Sequence, residues 1–404
     1  MNEVKTKIYL NALKIIFPYD NKVIGKLINP AANESEAQMQ LSGTSNKGAG
    51  RIELCSRWLS HVFHNSQKSE LQKLGLTEMQ IAELLKCRRI VDPEAEYALL
   101  LKEKISLINR FDADYPKLLG EIHDAPEILY LQGQKSMLIN QKNTWNIAIV
   151  GTRAPSAYGM EITGRIVKDL ASYGPTIVSG LAMGIDQAAH EAAVERGLST
   201  IAVLGAGHGS LKPKTSFRLI KKLLSEHLII SEYPYNVKGS KFTFPQRNRI
   251  ICGLSLATMV VEARSRSGAL ITAQLASDSS REVFAVPGSI LSEYSKGTNG
   301  IIQKGEAELF MDVPTMIESI NLKSQLPLDF KDPPTGSTVK KITPEISCPL
   351  HKKIYDHLKH PMGMDEFLPA TGINVQEMLV ALTELELQGF IKETPDQKWM
   401  RCSK

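Results

Sequence analysis

The spacing of apolar positions changes twice along this chain. Up to about residue 90 it follows a helical period, and Cys55 to His64 and Leu71 to Lys86 each carry one apolar stripe. Thr77, three residues before Gln80, predicts a capping box that opens the second of these helices. Ahead of both, Asn33–Gly50 is rich in Asn, Ser, Gly, Gln and Ala and reads as a flexible insertion. From Trp145 the pattern becomes short apolar runs alternating with helix-period segments. The runs are Ile147–Val150, Thr176–Ser179, Thr200–Leu204, Leu228–Ser231, Leu256–Val261 and Glu282–Val286, with helices beginning near Gly159, Gly184, Thr215, Pro245 and Ser267. Such interleaving predicts an α/β fold built on a parallel sheet covered on both faces.

The flanking segments complete a four-part organisation. Residues 1–95 form a helical N-terminal domain and 96–322 the α/β core. Within the core, residues 96–140 read as a connecting segment, broken at Pro116 and Pro126. Residues 323–343, with Pro327, Pro333, Pro334 and Gly336, form a linker. Residues 344–404 offer three helix candidates and a short hairpin, the pattern of a winged helix.

Composition narrows the function classes. The 48 basic and 43 acidic residues leave a formal charge of +5, so any nucleic-acid-binding charge must be local. Five scattered cysteines without a C-x-x-C pair fit neither a disulfide framework nor a zinc site, and suit a reducing cytoplasm. No apolar run is long enough for a membrane span. No metal or cofactor is expected.

In an open parallel sheet, ligands bind beyond the carboxyl ends of the strands. The first such end carries Gly151-Thr152-Arg153, where the N–H groups of the next helix start offer an anion site. Its glycines are too widely spaced for a dinucleotide fingerprint, and no Walker lysine follows. The second end carries Ser179 and Gly180, followed by Asp186 and His190 one helical turn apart. That pair is read first as a cap with a hydrogen-bonded histidine and second as an acid–base couple. Lys212 follows the third end, and Ser267-Gly268 opens a helix after the fifth. After the fourth comes Lys241-Phe242-Thr243-Phe244-Pro245-Gln246-Arg247-Asn248-Arg249. Aromatic faces stack bases, and arginine forks hold phosphates. Cations converging on one sheet edge predict sequence-independent binding of a single strand. The last helix, Asn374 to Gln388, has no Lys or Arg and carries Glu377, Glu384 and Glu386, which points to a protein contact rather than a DNA groove.

The ordered motifs from Asp112 to Phe310 resemble the bacterial DNA-processing protein A (DprA/Smf) family. They include D-A-D-Y-P-K-L-L, A-I-V-G-T-R, S-G-L-A-M-G-I-D-Q-A-A-H, F-P-Q-R-N-R-I-I and R-E-V-F-A-V-P-G-S. The resemblance implies an extended Rossmann-like core that forms a homodimer, binds single-stranded DNA and loads the RecA recombinase in natural transformation, without being an enzyme. It implies DNA contacts at Gly151, Thr152, Arg153, Ser179, Gly180, Phe244, Arg247, Asn248 and Arg249. Gly209, Lys212 and Ser216 depart from the family pattern in the third loop. An enzyme acting on nucleotide derivatives through Asp186, His190 and Glu262 is the alternative. Loss of either Arg153 or Arg247 is expected to weaken strand binding with little loss of fold.

Overall fold

The computed structural model describes residues 2–28, 49–139, 145–211, 217–320, 348–358, 362–387, 390–393 and 398–401. Most of the Asn33–Gly50 insertion, Lys212, Ser216 and the whole proline-bearing linker lie outside them. The chain divides into two compact units, Met1–Phe330 and Lys331–Lys404.

Among the described residues the first unit opens with the helices α1 (Asn2–Ile16), α2 (Asn21–Ile28), α3 (Ala49–His64), α4 (Lys68–Lys73), α5 (Glu78–Cys87) and α6 (Pro93–Lys102). The capping box at α5 is present, with Thr77 Oγ1 accepting from Gln80 N and Gln80 Oε1 from Thr77 N. Asp92 caps α6, and Pro93 occupies its first turn.

The connecting segment is more regular than its prolines predict. It contains β1 (Ile105–Asn109) and β2 (Ile128–Gly133), paired antiparallel, with the single turns α7 (Lys117–Gly120) and α8 (Ser136–Ile139). Pro116 and Pro126 fall outside both strands, so neither removes a ladder hydrogen bond. One face of the β1–β2 pair, with Ile105, Leu107, Ile128 and Tyr130, shares a core with the N-terminal helices.

The alternating region then follows in order: β3 (Asn146–Val150), α9 (Ala157–Leu170), β4 (Thr176–Ser179), α10 (Ile185–Glu195), β5 (Thr200–Leu204), α11 (Phe217–Glu226), β6 (Leu228–Ser231), α12 (Thr243–Gly253), β7 (Ala257–Val260), α13 (Gly268–Asp278), β8 (Glu282–Ala285), α14 (Lys296–Gln303), β9 (Glu308–Leu309) and α15 (Val313–Ser319). The nine strands run β1-β2-β6-β5-β4-β3-β7-β8-β9, with every pair from β6 to β9 parallel. β2 meets β6 antiparallel and joins the hairpin to the parallel sheet. Strand residues alternate between two cores, as the pleat requires. Ile147 and Ile149 pack with α9 and α10, while Ala148 and Val150 pack with α12 and α13. The strand order reverses at β3, so the loops after β3, β4 and β7 open together at one edge.

The second unit holds α16 (Pro349–His357), α17 (Met364–Thr371), α18 (Val375–Leu387) and an antiparallel pair, β10 (Ile391–Glu393) and β11 (Trp399–Arg401). Ile354, Phe367, Met378, Leu382 and Leu385 form its core. This is the winged-helix arrangement that the residue pattern predicts. No described helix is long and apolar enough to cross a membrane.

Candidate nucleic-acid interface

Helix α12 lies across the carboxyl ends of β4 and β5 and brings the F-T-F-P-Q-R-N-R segment to the sheet edge. Arg247 turns inward and is only 4% exposed. Its Nη1 donates to the carbonyl oxygens of Gly180 and Val203, and its Nε donates to Asn248 Oδ1 at 3.1 Å. A Cβ on Gly180 would lie 2.5 Å from Nη2, so only glycine lets the guanidinium seat there. Burial pushes Arg247 down to about 10, opposed by Asp186 and reinforced by Arg153. The strand ends are therefore closed by a buried cation that two neutral carbonyls hold. The next residue, Leu181, has φ of 54°, a left-handed conformation that costs a branched side chain about 1–2 kcal/mol. Strain of this kind concentrates at binding sites.

Arg153 occupies the outer layer. It is exposed, and its guanidinium carbon stands 5.4 Å from the centroid of the Phe244 ring. Phe244 is 37% exposed and rests on Gly205, where a Cβ would come within 2.7 Å of the ring. Lys241 is likewise exposed, 5.2 Å from the centroid of the ring of Phe242, itself largely exposed. Two cation–aromatic stacks therefore flank the start of α12, each partly open to solvent, a pairing of the kind that binds bases and phosphates.

Other residues singled out from the sequence have inward roles. Ser179 is fully buried and donates from Oγ to Ile149 O at 2.6 Å. The backbone of Gly151 and Thr152 is knitted into the sheet edge, with Thr152 N donating to Glu262 O and Thr152 O accepting from Ile185 N. Arg249 is 6% exposed, with Nη2 2.7 Å from Glu232 and Nε 3.1 Å from Asp124. Burial alone would lower Arg249, but the two carboxylates outweigh it and raise it. Arg249 thus braces α12 while Arg247 and Arg153 build the mouth. Asn248 is half-buried against Arg247. Ser267 caps α13, accepting from Ala269 N at 3.3 Å, and Gly268 beside it is exposed.

The anion site expected at the start of α9 is already filled. The Glu262 carboxylate accepts from Ser156 N at 2.9 Å and from Ser156 Oγ at 2.5 Å, so the protein's own charge completes that helix end. This corrects the expectation for that helix start alone, because a phosphate would meet a buried carboxylate there, whereas Arg153 of the same loop faces outward. The expectation that Arg247 can be lost with little effect on the fold is corrected too, since its removal orphans two buried carbonyls.

The acid–base candidates are engaged in packing. Asp186 is buried, which raises it, while Arg247 and the N–H groups of Ala182 and Gly180 act in the opposite sense. His190 is fully buried with Nδ1 2.7 Å from Thr200 Oγ1, and burial pushes it down to about 3. In the third loop, Gly209 N donates to Tyr235 O at 3.0 Å, which ties that loop to the segment before α12.

Sequence reasoning missed Asp124, Glu232 and Leu181. The two acids lie in D-A-P-E and S-E-Y-P, far from Arg249 in sequence, and no local spacing links them. Leu181 lies within the S-G-L-A motif, but its backbone conformation leaves no compositional trace.

Comparison with known proteins agrees with this architecture. Residues 106–321 match the family model described as DNA recombination-mediator protein A, and residues 343–397 match that of the DprA winged helix domain. Protein Smf of Synechocystis is 32% identical over 396 residues, 91% of this chain and 99% of its own length. DNA processing protein DprA of Streptococcus pneumoniae is 39% identical over 267 residues, 60% of this chain and 93% of its own length. The X-ray structure of the Streptococcus pneumoniae protein superposes with a TM-score of 0.56 at 36% identity, covering 65% of this chain and 89% of that one.

Proposed function

Because the chain belongs to the DNA recombination-mediator protein A family, we propose that it binds single-stranded DNA at the edge where α12 crosses β4 and β5 and hands the strand to a RecA-type recombinase. The observation that carries this reading is the layering of Arg153 on Phe244 above the buried Arg247. A stacked arginine presents donors to a phosphate while the exposed part of the ring takes a base. The buried guanidinium adds positive potential that solvent screens weakly. Lys241, Phe242 and the exposed start of α13 at Ser267-Gly268 extend the track on either side. Lys212 belongs to the same proposal from sequence alone.

A binder rather than an enzyme is favoured because Asp186, His190 and Glu262 each hold a structural hydrogen bond. The transfer to RecA, the homodimer and the role in natural transformation rest on the family resemblance. The four sequence domains stand as a proposal within the two compact units.

The test is a gel shift with single-stranded and duplex oligonucleotides across a salt series, followed by RecA filament assembly on strands already coated with this protein. The reading expects tighter binding to the single strand, affinity that falls as salt rises, and faster RecA assembly. Equal affinity for duplex together with no effect on RecA would overturn it.

A further inference from the structure

Lys14, near the end of α1, is a lysine with 1% exposure beside a core built largely of leucine, isoleucine and phenylalanine, in a bundle whose other buried polar side chains, such as Asn11 and Asn21, are uncharged. Its ammonium lies 3.5 Å from Asn21 Oδ1 and 3.9 Å from Glu232 Oε1. That same carboxylate oxygen accepts from Arg249 Nη2 at 2.7 Å, and Arg249 Nε reaches Asp124 at 3.1 Å. Four charges of alternating sign therefore run from α1 to α12: Lys14, Glu232, Arg249, Asp124. Asn21 reinforces the line by donating to Ala125 O at 2.8 Å and accepting from Glu127 N at 3.2 Å, which straps the segment beside Asp124 to α2.

Burying an ammonium is costly, and an apolar side chain would pack this position at less expense. A buried charge is best accounted for by what its partners need. Glu232 directly follows β6, at the sheet edge, and Arg249 is two residues from Arg247 on the helix that also carries Phe244. Burial lowers the Lys14 ammonium and Glu232 works against that shift; with the proton held, the four charges cancel. Without the lysine, Glu232 and Asp124 share one guanidinium, a net negative charge is left beside α12, and the hold on the helix becomes lopsided.

We propose that Lys14 is a positioning residue for the strand-binding edge: through Glu232 it fixes Arg249, and with it the seating of α12 that places Arg247 and Phe244. The N-terminal helices thereby tune DNA affinity from a side chain sealed away from solvent. The inference rests on the strand-binding reading above.

The experiment uses the full chain, with fluorescence anisotropy on a labelled oligothymidine and thermal unfolding recorded in parallel. Lys14→Met is expected to weaken binding about tenfold, the scale on which a coupled network acts. In Lys14→Met/Glu232→Gln the amide oxygen still accepts from Arg249 and the remaining Arg249–Asp124 pair is neutral. This double variant is expected to return to within about twofold of the wild-type affinity, even if it melts earlier. Glu232→Gln alone strands the lysine and is expected to bind more weakly than the double variant, a comparison that holds even where Lys14→Met fails to fold. Wild-type affinity in Lys14→Met overturns the proposal. So does a double variant no better than either single change, the outcome of a pure packing role. Arg153→Ala, run alongside, separates the two claims: if it binds normally the site reading itself fails, whereas if it fails to bind while Lys14→Met binds normally only the charge relay falls.

Discussion

Arg247 serves the fold and the site with one side chain. Its guanidinium satisfies carbonyls of β4 and β5 while holding positive charge beneath Arg153. Arg247→Ala is therefore expected to lower stability by about 2–4 kcal/mol, through buried carbonyls left without donors, and to weaken strand binding, as urea titration and anisotropy will show. Gly180→Ala should damage the same contact from the other side by crowding the guanidinium, and about 1–3 kcal/mol of destabilisation is expected on unfolding. The buried histidines set the acid limit of the fold. His190 and His208 are pushed down to about 3 and about 4 from 6.5 by burial. The unfolded chain takes up their protons near 6.5 while the folded chain refuses them, so their contribution is complete above that value. It is lost as pH falls toward 4 and then 3. In urea titrations at stepped pH, His190→Asn is expected to flatten this slope, and an unchanged slope would remove His190 from the account.

At the scale of elements, Glu262 shows how a strand end and a helix start can complete each other. It follows β7 and holds Ser156, the N-cap of α9, across a separation of 106 residues. Glu262→Gln is expected to cost about 1–2 kcal/mol, through loss of the charged acceptor, while strand affinity stays near wild type, measured by thermal unfolding and anisotropy together. The helices and parallel strands were legible because a buried strand and an amphipathic helix write different periods into the chain. Thr77 with Gln80 even gave one helix start to the residue. The β1–β2 hairpin was not legible, because Ile105–Asn109 and Ile128–Gly133 are separated by a proline-bearing stretch without a tight-turn signal. The candidate site was half legible. Arg153 and Phe244 stand where their motifs suggested, but the inward turn of Arg249 depends on acids at 124 and 232 that only the folded chain brings near.

Across the first unit, the parallel sheet gathers the candidate site at one edge, and the N-terminal helices share a core with the β1–β2 hairpin that extends that sheet. The winged-helix unit has a core of its own, and its last helix leaves Val375, Leu379 and Val380 exposed beside glutamates. Such a surface repels phosphates, so a chain ending at Phe330 is expected to keep its affinity for single-stranded DNA within about twofold. A tenfold loss in that anisotropy assay would place part of the strand on the second unit. We propose that Arg153, stacked on Phe244, holds the strand. The most direct test is a salt titration of single-strand affinity for the wild type and Arg153→Ala. The account predicts at least about tenfold weaker binding at low salt and a shallower salt dependence for the variant, since one phosphate contact is gone. Identical affinities and slopes in a folded variant would contradict it.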